Sequence, residues 1–248
     1  MNKNSHSQID INNRVIFRKK KLLQLIYYDY FRQIKKNLYL KSNYPSLEIG
    51  SSGFIKDIIP KCITSNLVKN DFMIDRVENV YKLGERKEKF SNIIMVDIFH
   101  HLEFPMVAIK NLHKILCQNG RVILVEPAMG LIPRLIYKFF HHEPNGFNLK
   151  IDTKEELDEI QNESQYFAAQ ALSWRVFVKN EINYNKFFDI KMINHFSDFA
   201  YLGSGGFSYK GMYPEKLYPI IKKLDNILTK LSKYIFSSRM IIVLEKKI

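Results

Sequence analysis

The run SLEIGSSGF, Ser46 to Phe54, restricts the fold more than any other part of the chain. A short apolar segment carries the acid Glu48 near its end, and small residues follow at once. The next residues, FIKDIIP, set Phe54, Ile55, Ile58 and Ile59 at helical spacing. Read in order, this is a buried strand, a tight glycine turn and the start of a helix. Glycine has no Cβ, so such a turn lets backbone N–H groups approach a ligand closely. A helix N-terminus beyond it favours a carboxylate or phosphate. Glu48 argues against a phosphate-only loop and suits a ligand that also carries a cation or donor groups. Turns of this kind also occur in α/β proteins that bind nothing there, so the meaning of the segment depends on the elements C-terminal to it.

Those elements alternate between strand and helix. CITSN, Cys62 to Asn66, reads as a second strand, and a short third strand within Asp71–Asn79 ends near Asn79. In SNIIMVDIFHHL, Ile93 to Val96 form a strand apolar on both faces, as a central parallel strand must be. Asp97, Ile98, Phe99, His100 and His101 then fall at its carboxyl edge, where open α/β sheets bind ligands. A helix is predicted from Pro105 to Leu116, with proline in its first turn. A glycine turn and a further doubly buried strand occupy Gln118–Pro127, ending at Glu126 and Pro127. Beyond lie an amphipathic helix over Leu131–Phe140, an exposed mixed-charge loop over residues 145–165, and a helix over Phe167–Phe177. A strand over Phe187–Ser197, a glycine-rich loop over Gly203–Pro214, a basic amphipathic helix over Glu215–Ile235 and a last strand over Arg239–Lys247 complete the chain.

Bulk composition bounds the class. A chain of 248 residues, 46% hydrophobic, suffices for one sizeable α/β domain with insertions. No apolar run reaches the roughly 18–20 residues of a membrane span, and the polar start lacks the apolar core of a signal peptide. Cys62 and Cys117 are the only cysteines and form no CxxC pair, which argues against a disulfide framework and a structural zinc site. A cytoplasmic protein is the simplest reading. The net charge of +13 sits on the flanks: residues 1–41 carry +8, residues 210–248 carry +6, and the middle carries −1. Such flanks can attract RNA, an acidic substrate or an anionic membrane, including the inner face of the cell membrane. Residues 1–13 read as a disordered tail. Arg14 to about Leu40 reads as one long helix bearing the cluster Arg18–Lys21. It serves either as a packed helix with solvated lysines, or as a lid or lipid-touching surface.

LEIGSSGF, FHHL after the central strand, and LHKILCQNGRVILVEP together resemble the class I S-adenosylmethionine-dependent methyltransferases, over about Leu47–Pro127. EPAMG, HHEPNG, AAQALSW and LGSGGFS further resemble a bacterial, type 11-like small-substrate subgroup. The resemblance implies a Rossmann-like α/β fold: a seven-stranded, mostly parallel sheet with an antiparallel last strand, an N-terminal helix and helical insertions. It implies one domain over 14–248, with a basic helix or lid at 14–41, a cofactor-binding core at 46–127 and substrate-side insertions at 128–186 and 199–237. The implied cofactor is S-adenosyl-L-methionine. Glu48 and the Gly50, Ser51, Ser52 and Gly53 backbone would face its methionine part, Asn66 its ribose and Asn79 its adenine. Asp97, Ile98 and the residues up to His101 would lie near the methyl donor. Two departures stand out. Ser52 and Phe54 occupy the second and third glycine positions of the usual acidic-x-Gly-x-Gly-x-Gly turn, so a positive φ at Ser52 would cost about 1–3 kcal/mol. The usual acids at the second and third strand ends are Asn66 and Asn79, and an amide offers one acceptor oxygen where a carboxylate offers two.

Methyl transfer to a hydroxyl needs alignment and a base. The candidates are His100, His101, His142 and Glu126, each with a structural role as the competing reading; His195 reads as structural. His141, His142 and Glu143 stand together without a further ligand cluster, so no metal is expected. Gly203, Gly205 and Gly206 suit an anion-binding nest, a substrate gate or a plain loop. Trp174, Phe177, Phe207 and Tyr209 suit either an apolar acceptor pocket or the core. The leading expectation is O-methylation of a small-molecule, glycan or lipid-linked acceptor. The alternatives are an RNA methyltransferase and a degenerate, non-catalytic protein of a membrane surface. Nucleic acid is disfavoured, because DIFHH stands where an Asn/Asp-Pro-Pro-Tyr/Phe stretch would be.

Overall fold

The computed structural model describes residues 12–67, 74–140, 143–157 and 167–247. Seven strands build one sheet: β1 Ser46–Ile49, β2 Cys62–Asn66, β3 Arg76–Val77, β4 Phe90–Val96, β5 Leu116–Pro127, β6 Phe188–Phe196 and β7 Arg239–Lys246. Their order is β3-β2-β1-β4-β5-β7-β6. Strands β1 to β5 pair in parallel, and β7 runs antiparallel to both β5 and β6. The expected sheet and its antiparallel last strand are therefore present.

The doubly apolar strands are covered on both faces. Ile93 and Met95 of β4 pack in one layer with Leu47, Val122, Leu124 and Ile242, beneath α3 (Pro105–Ile115) and α5 (Leu172–Phe177). Ile94, Ile123, Val125, Ile241 and Val243 face the opposite layer. That layer holds α1 (residues 12–19), α2 (Lys21–Lys36), α6 (Phe199–Ser204) and Tyr218 of α7 (Tyr218–Leu231). The carboxyl ends of the parallel strands share one edge with the start of β7, since Pro127 pairs with Arg239. The amphipathic α4 (Leu131–Phe140) begins at that edge, and α8 (Lys233–Phe236) packs against it.

Several local expectations give way to tertiary contacts. The helix after the glycine turn shrinks to one 3-10 turn, Phe54–Asp57. Pro60 disfavours helical backbone at Ile59, and β2 begins at Cys62. Phe54, Ile55 and Ile59 are buried all the same, so their spacing marks a buried face and supplies no helix dipole for an anion. The N-terminal helix breaks at Lys20 (φ −99°, ψ 87°). Its ammonium there donates to the carbonyls of Ser204 (2.9 Å), Gly206 (2.5 Å) and Tyr209 (2.7 Å). Only Asn12 and Asn13 of the expected tail are described, and they open α1. Of Phe167–Phe177, the helix begins only at Leu172, because the N–H groups of Ala169, Gln170 and Ala171 bond the carbonyls of His100, Pro144 and Asn145. The basic helix divides at Ser232, which caps α8.

Candidate functional site

At the carboxyl edge the glycine turn closes on itself. Gly50 (φ +70°) and Gly53 (φ +85°) adopt left-handed backbone. Among the described residues the only non-glycine positions with positive φ are Asp97, Asn119 and Asn180, so Ser52 carries no such strain. The Ser51 hydroxyl donates to the Glu48 carboxylate and accepts from Gly53 N at 2.8 Å, while Ser51 N donates to the Ser65 carbonyl at 2.8 Å. Asn66 Nδ2 donates to the Ser51 carbonyl at 3.1 Å, which binds the end of β2 to the turn. Glu48 is 4% exposed, and burial, only partly offset by the Ser51 hydroxyl, pushes its pKa up to about 7. Asn79 accepts from Tyr81 N at 2.9 Å and shapes the turn beyond β3. A Cβ built on Gly50 would lie 2.2 Å from Ile98 Cδ1, so Ile98 rests directly on the glycine and links the two strand ends.

Asp97, in left-handed backbone at φ 56°, follows β4. Its carboxylate pairs with Arg239 of β7 and accepts from the Tyr27 hydroxyl of α2 at 3.3 Å. Arg239 is 3% exposed, and its guanidinium carbon lies 4.2 Å from the Tyr201 ring centroid. Neither Arg239 nor Tyr27 stands out as a site residue in the sequence. The available signal is a charged residue opening a strand that runs on as the apolar stretch Met240–Leu244. α1 adds a cover, with Phe17 stacked on Phe54 at 3.8 Å between ring centroids.

Next to Asp97 lies a histidine–carboxylate cluster. Glu126, fully buried, accepts from Ile98 N (3.0 Å), Phe99 N (2.7 Å) and the Ser173 hydroxyl (3.0 Å) and contacts His100 Nδ1 (2.8 Å). It therefore holds the 98–100 turn in place and is not disposed to act as a free base. Burial opposes charge on His100, but the Glu126 carboxylate outweighs it and raises the His100 pKa. His101 is half-buried, and its Nδ1 meets the Phe167 carbonyl at 3.0 Å. Burial and then the neighbouring His100 lower its pKa, which favours a neutral imidazole. Glu143 approaches both rings and accepts from Gln170 Nε2. His141 and His142 lie outside the described residues.

Gly50, Ser52, Asn66, Asn79, Asp97, Ile98 and His101 are all half-buried, so six of the predicted cofactor-binding residues and one of the predicted bases share the accessible rim, while Glu48, Ser51 and Gly53 are buried. The half-buried Gly50 turn, with Glu48 on the strand before it and Asp97 at the end of β4, sets two acids near one edge, which fits a ligand carrying a sulfonium and an ammonium. The glycine-rich loop turns its carbonyls onto the Lys20 ammonium, the opposite polarity to an anion nest. The four aromatic residues weighed as an acceptor pocket separate. Phe177 is buried against Phe99, Phe207 packs on Tyr27, Trp174 meets Phe147, and Tyr209 is exposed.

This strand order and edge define the Rossmann-like fold of class I methyltransferases. The chain is similar in structure to a SAM-dependent methyltransferase from Archaeoglobus fulgidus, at TM-score 0.51 and 13% identity, over 90% of this chain and 94% of that one. It is likewise similar to a SAM-dependent methyltransferase, possible histamine N-methyltransferase, from Thermotoga maritima. There the TM-score is 0.51 and the identity 14%, over 95% of this chain and 100% of that one. No protein-family model and no curated protein matches the sequence. At these identities the likeness establishes the fold, and the site residues carry the functional argument.

Proposed function

We propose that the chain is an S-adenosyl-L-methionine-dependent methyltransferase acting at oxygen on a small-molecule, glycan or lipid-linked acceptor. The observation that carries this reading is the Gly50 turn pressed against Ile98 at the carboxyl edge, with Glu48 and Asp97 on either side. Glu48 and the Gly50–Gly53 backbone bind the methionine part, Asn66 the ribose and Asn79 the adenine. Asp97 and Ile98 lie against the methyl donor, with Arg239 and Tyr27 holding Asp97 in place. The cofactor supplies an electrophilic methyl group, and the protein aligns the acceptor oxygen for in-line displacement. The His100–His101 pair manages the acceptor's proton, with His142 the other candidate. Titration calorimetry of the full chain with S-adenosylmethionine tests the reading, and absence of binding at about millimolar cofactor, near −4 kcal/mol, refutes it.

A specific surface favours the lipid-linked acceptor and a peripheral place on an anionic membrane. On α7, Ile220, Leu224, Ile227 and Leu231 recur at helical spacing and are all exposed. Leu131, Leu135 and Phe139 do the same on α4, and Tyr234 of α8 is 80% exposed. Lys138, Lys223, Lys230 and Lys233 lie among them. Apolar residues set among lysines suit insertion at an anionic interface, where each lysine contributes about 1 kcal/mol. Co-sedimentation with phosphatidylglycerol vesicles, lost in Leu224→Glu/Ile227→Glu and absent with neutral vesicles, is the expected result. Among the described residues no helix is long and apolar enough to cross a membrane.

A further inference from the structure

His100 and His101 are successive residues of the 3-10 turn Phe99–His101. Side chains one residue apart in such a turn diverge by about 120°. Here the two rings instead lie 4.1 Å apart at 39° and turn their Nε2 atoms toward one carboxylate. His100 Nε2 is 3.8 Å from Glu143 Oε2, and His101 Nε2 is 3.9 Å from Glu143 Oε1. Both separations are too long for hydrogen bonds. The opposite ring nitrogens are anchored, His100 Nδ1 on Glu126 and His101 Nδ1 on the Phe167 carbonyl. A carbonyl oxygen only accepts, so His101 Nδ1 carries the proton and its Nε2 presents a lone pair. Glu126 imposes the same tautomer on a neutral His100.

We propose that His100 Nε2, His101 Nε2 and Glu143 hold a divalent first-row cation, with zinc the closest match. Histidine ligands that donate their other N–H to a carboxylate or a backbone carbonyl are the usual outer shell of such sites. Glu126 and Phe167 supply both partners, and Gln170 orients the Glu143 carboxylate. The size is within reach. The three ligand atoms, one from each residue, lie within 4.8 Å of one another. Ligand atoms about 2.1 Å from a tetrahedral ion stand about 3.4 Å apart, so the set closes on the ion with a contraction of up to about 1.4 Å. Charge is compatible. Glu126 is already paired with His100, and the Glu143 side chain, 10% exposed, is the carboxylate that a cation at the three residues would meet directly.

Two histidines and one carboxylate leave coordination open for an oxygen donor. The ligand class is therefore a hydroxyl- or carboxylate-bearing molecule. With the ion bound, the histidines would serve as ligands in place of the proton-handling role proposed above, and the ion would lower the pKa of a coordinated hydroxyl so that its proton passes to solvent water. The cation site rests on the histidine–carboxylate geometry and not on methyl transfer.

The test uses the tag-free full chain, stripped with a chelator and titrated with zinc, manganese and magnesium by calorimetry, with metal content measured after gel filtration. About one zinc per chain is expected, with magnesium far weaker. Glu143→Gln and His101→Asn should each lower zinc affinity at least about tenfold, and Glu126→Gln about 10–100-fold. Melting of the metal-free variants separates loss of a ligand from loss of the fold. Wild-type protein that binds no zinc overturns the proposal. So does a folded Glu143→Gln that binds zinc like the wild type, because the ion is then held elsewhere. A parallel titration with S-adenosylmethionine keeps the two readings apart: zinc without cofactor refutes methyl transfer alone, and cofactor without zinc refutes the cation alone.

Discussion

Replacing Glu48 by glutamine separates the cost of burying this carboxyl from its use. The Glu48 pKa rises from 4.5 to about 7 in the fold, chiefly by burial. Below about pH 4.5 the group is protonated in the folded and unfolded chains alike, and its burial carries no ionic cost. Between 4.5 and 7 the unfolded chain releases the proton while the folded chain keeps it, so stability falls as pH rises through that window. At about 1.4 kcal/mol per pH unit the loss is roughly 3 kcal/mol by pH 8. Glutamine keeps an acceptor for the Ser51 hydroxyl but never ionises. Urea unfolding of both proteins from pH 4.5 to 8.5 isolates the effect, since the other titrating groups cancel in the difference. Glu48→Gln should gain roughly 3 kcal/mol on the wild type across the window. A cationic ligand draws the carboxyl back to its ionised form. S-adenosylmethionine should therefore bind the wild type more tightly as pH rises through about 7, and bind Glu48→Gln weakly at all pH values. A pH-independent stability difference would refute the reasoning about burial.

Three further outcomes concern the same edge. Arg239→Met leaves Asp97 without its buried partner and should cost about 3–5 kcal/mol, seen as a lowered midpoint in urea. Gly50→Ala places a Cβ 2.2 Å from Ile98 in left-handed backbone. It should destabilise by about 1–2 kcal/mol and abolish cofactor binding in calorimetry, and tight binding by this variant would remove the Gly50 turn from the cofactor site. Lys20→Ala frees the carbonyls of Ser204, Gly206 and Tyr209. Limited proteolysis should then cut between Gly203 and Pro214 several times faster than in the wild type, with far-UV circular dichroism unchanged.

The elements readable in the sequence are those whose pattern is local. Ile93–Val96 and the stretch before Pro127 are apolar on both faces, which only a covered parallel strand requires, and β4 and β5 form there. The amphipathic period of Leu131–Phe140 and the glycines of LEIGSSGF likewise carry their own instructions, so the sheet and the turn at its edge follow from residue order. The same spacing misleads at Phe54–Ile59. It records which side chains are buried, while Pro60 and the start of β2 decide that no helix forms.

Tertiary structure alone decides the partners. Arg239 reaches Asp97 because β7 runs antiparallel beside β5, and Glu143 meets His100 and His101 because the Phe167–Ala171 stretch bonds to the backbone around both. Apolar burial repeats along the chain with the geometry of its own element. A buried ion pair or a ligand set is chosen by which distant segments the sheet brings within a few ångströms, and residue spacing holds no record of that distance.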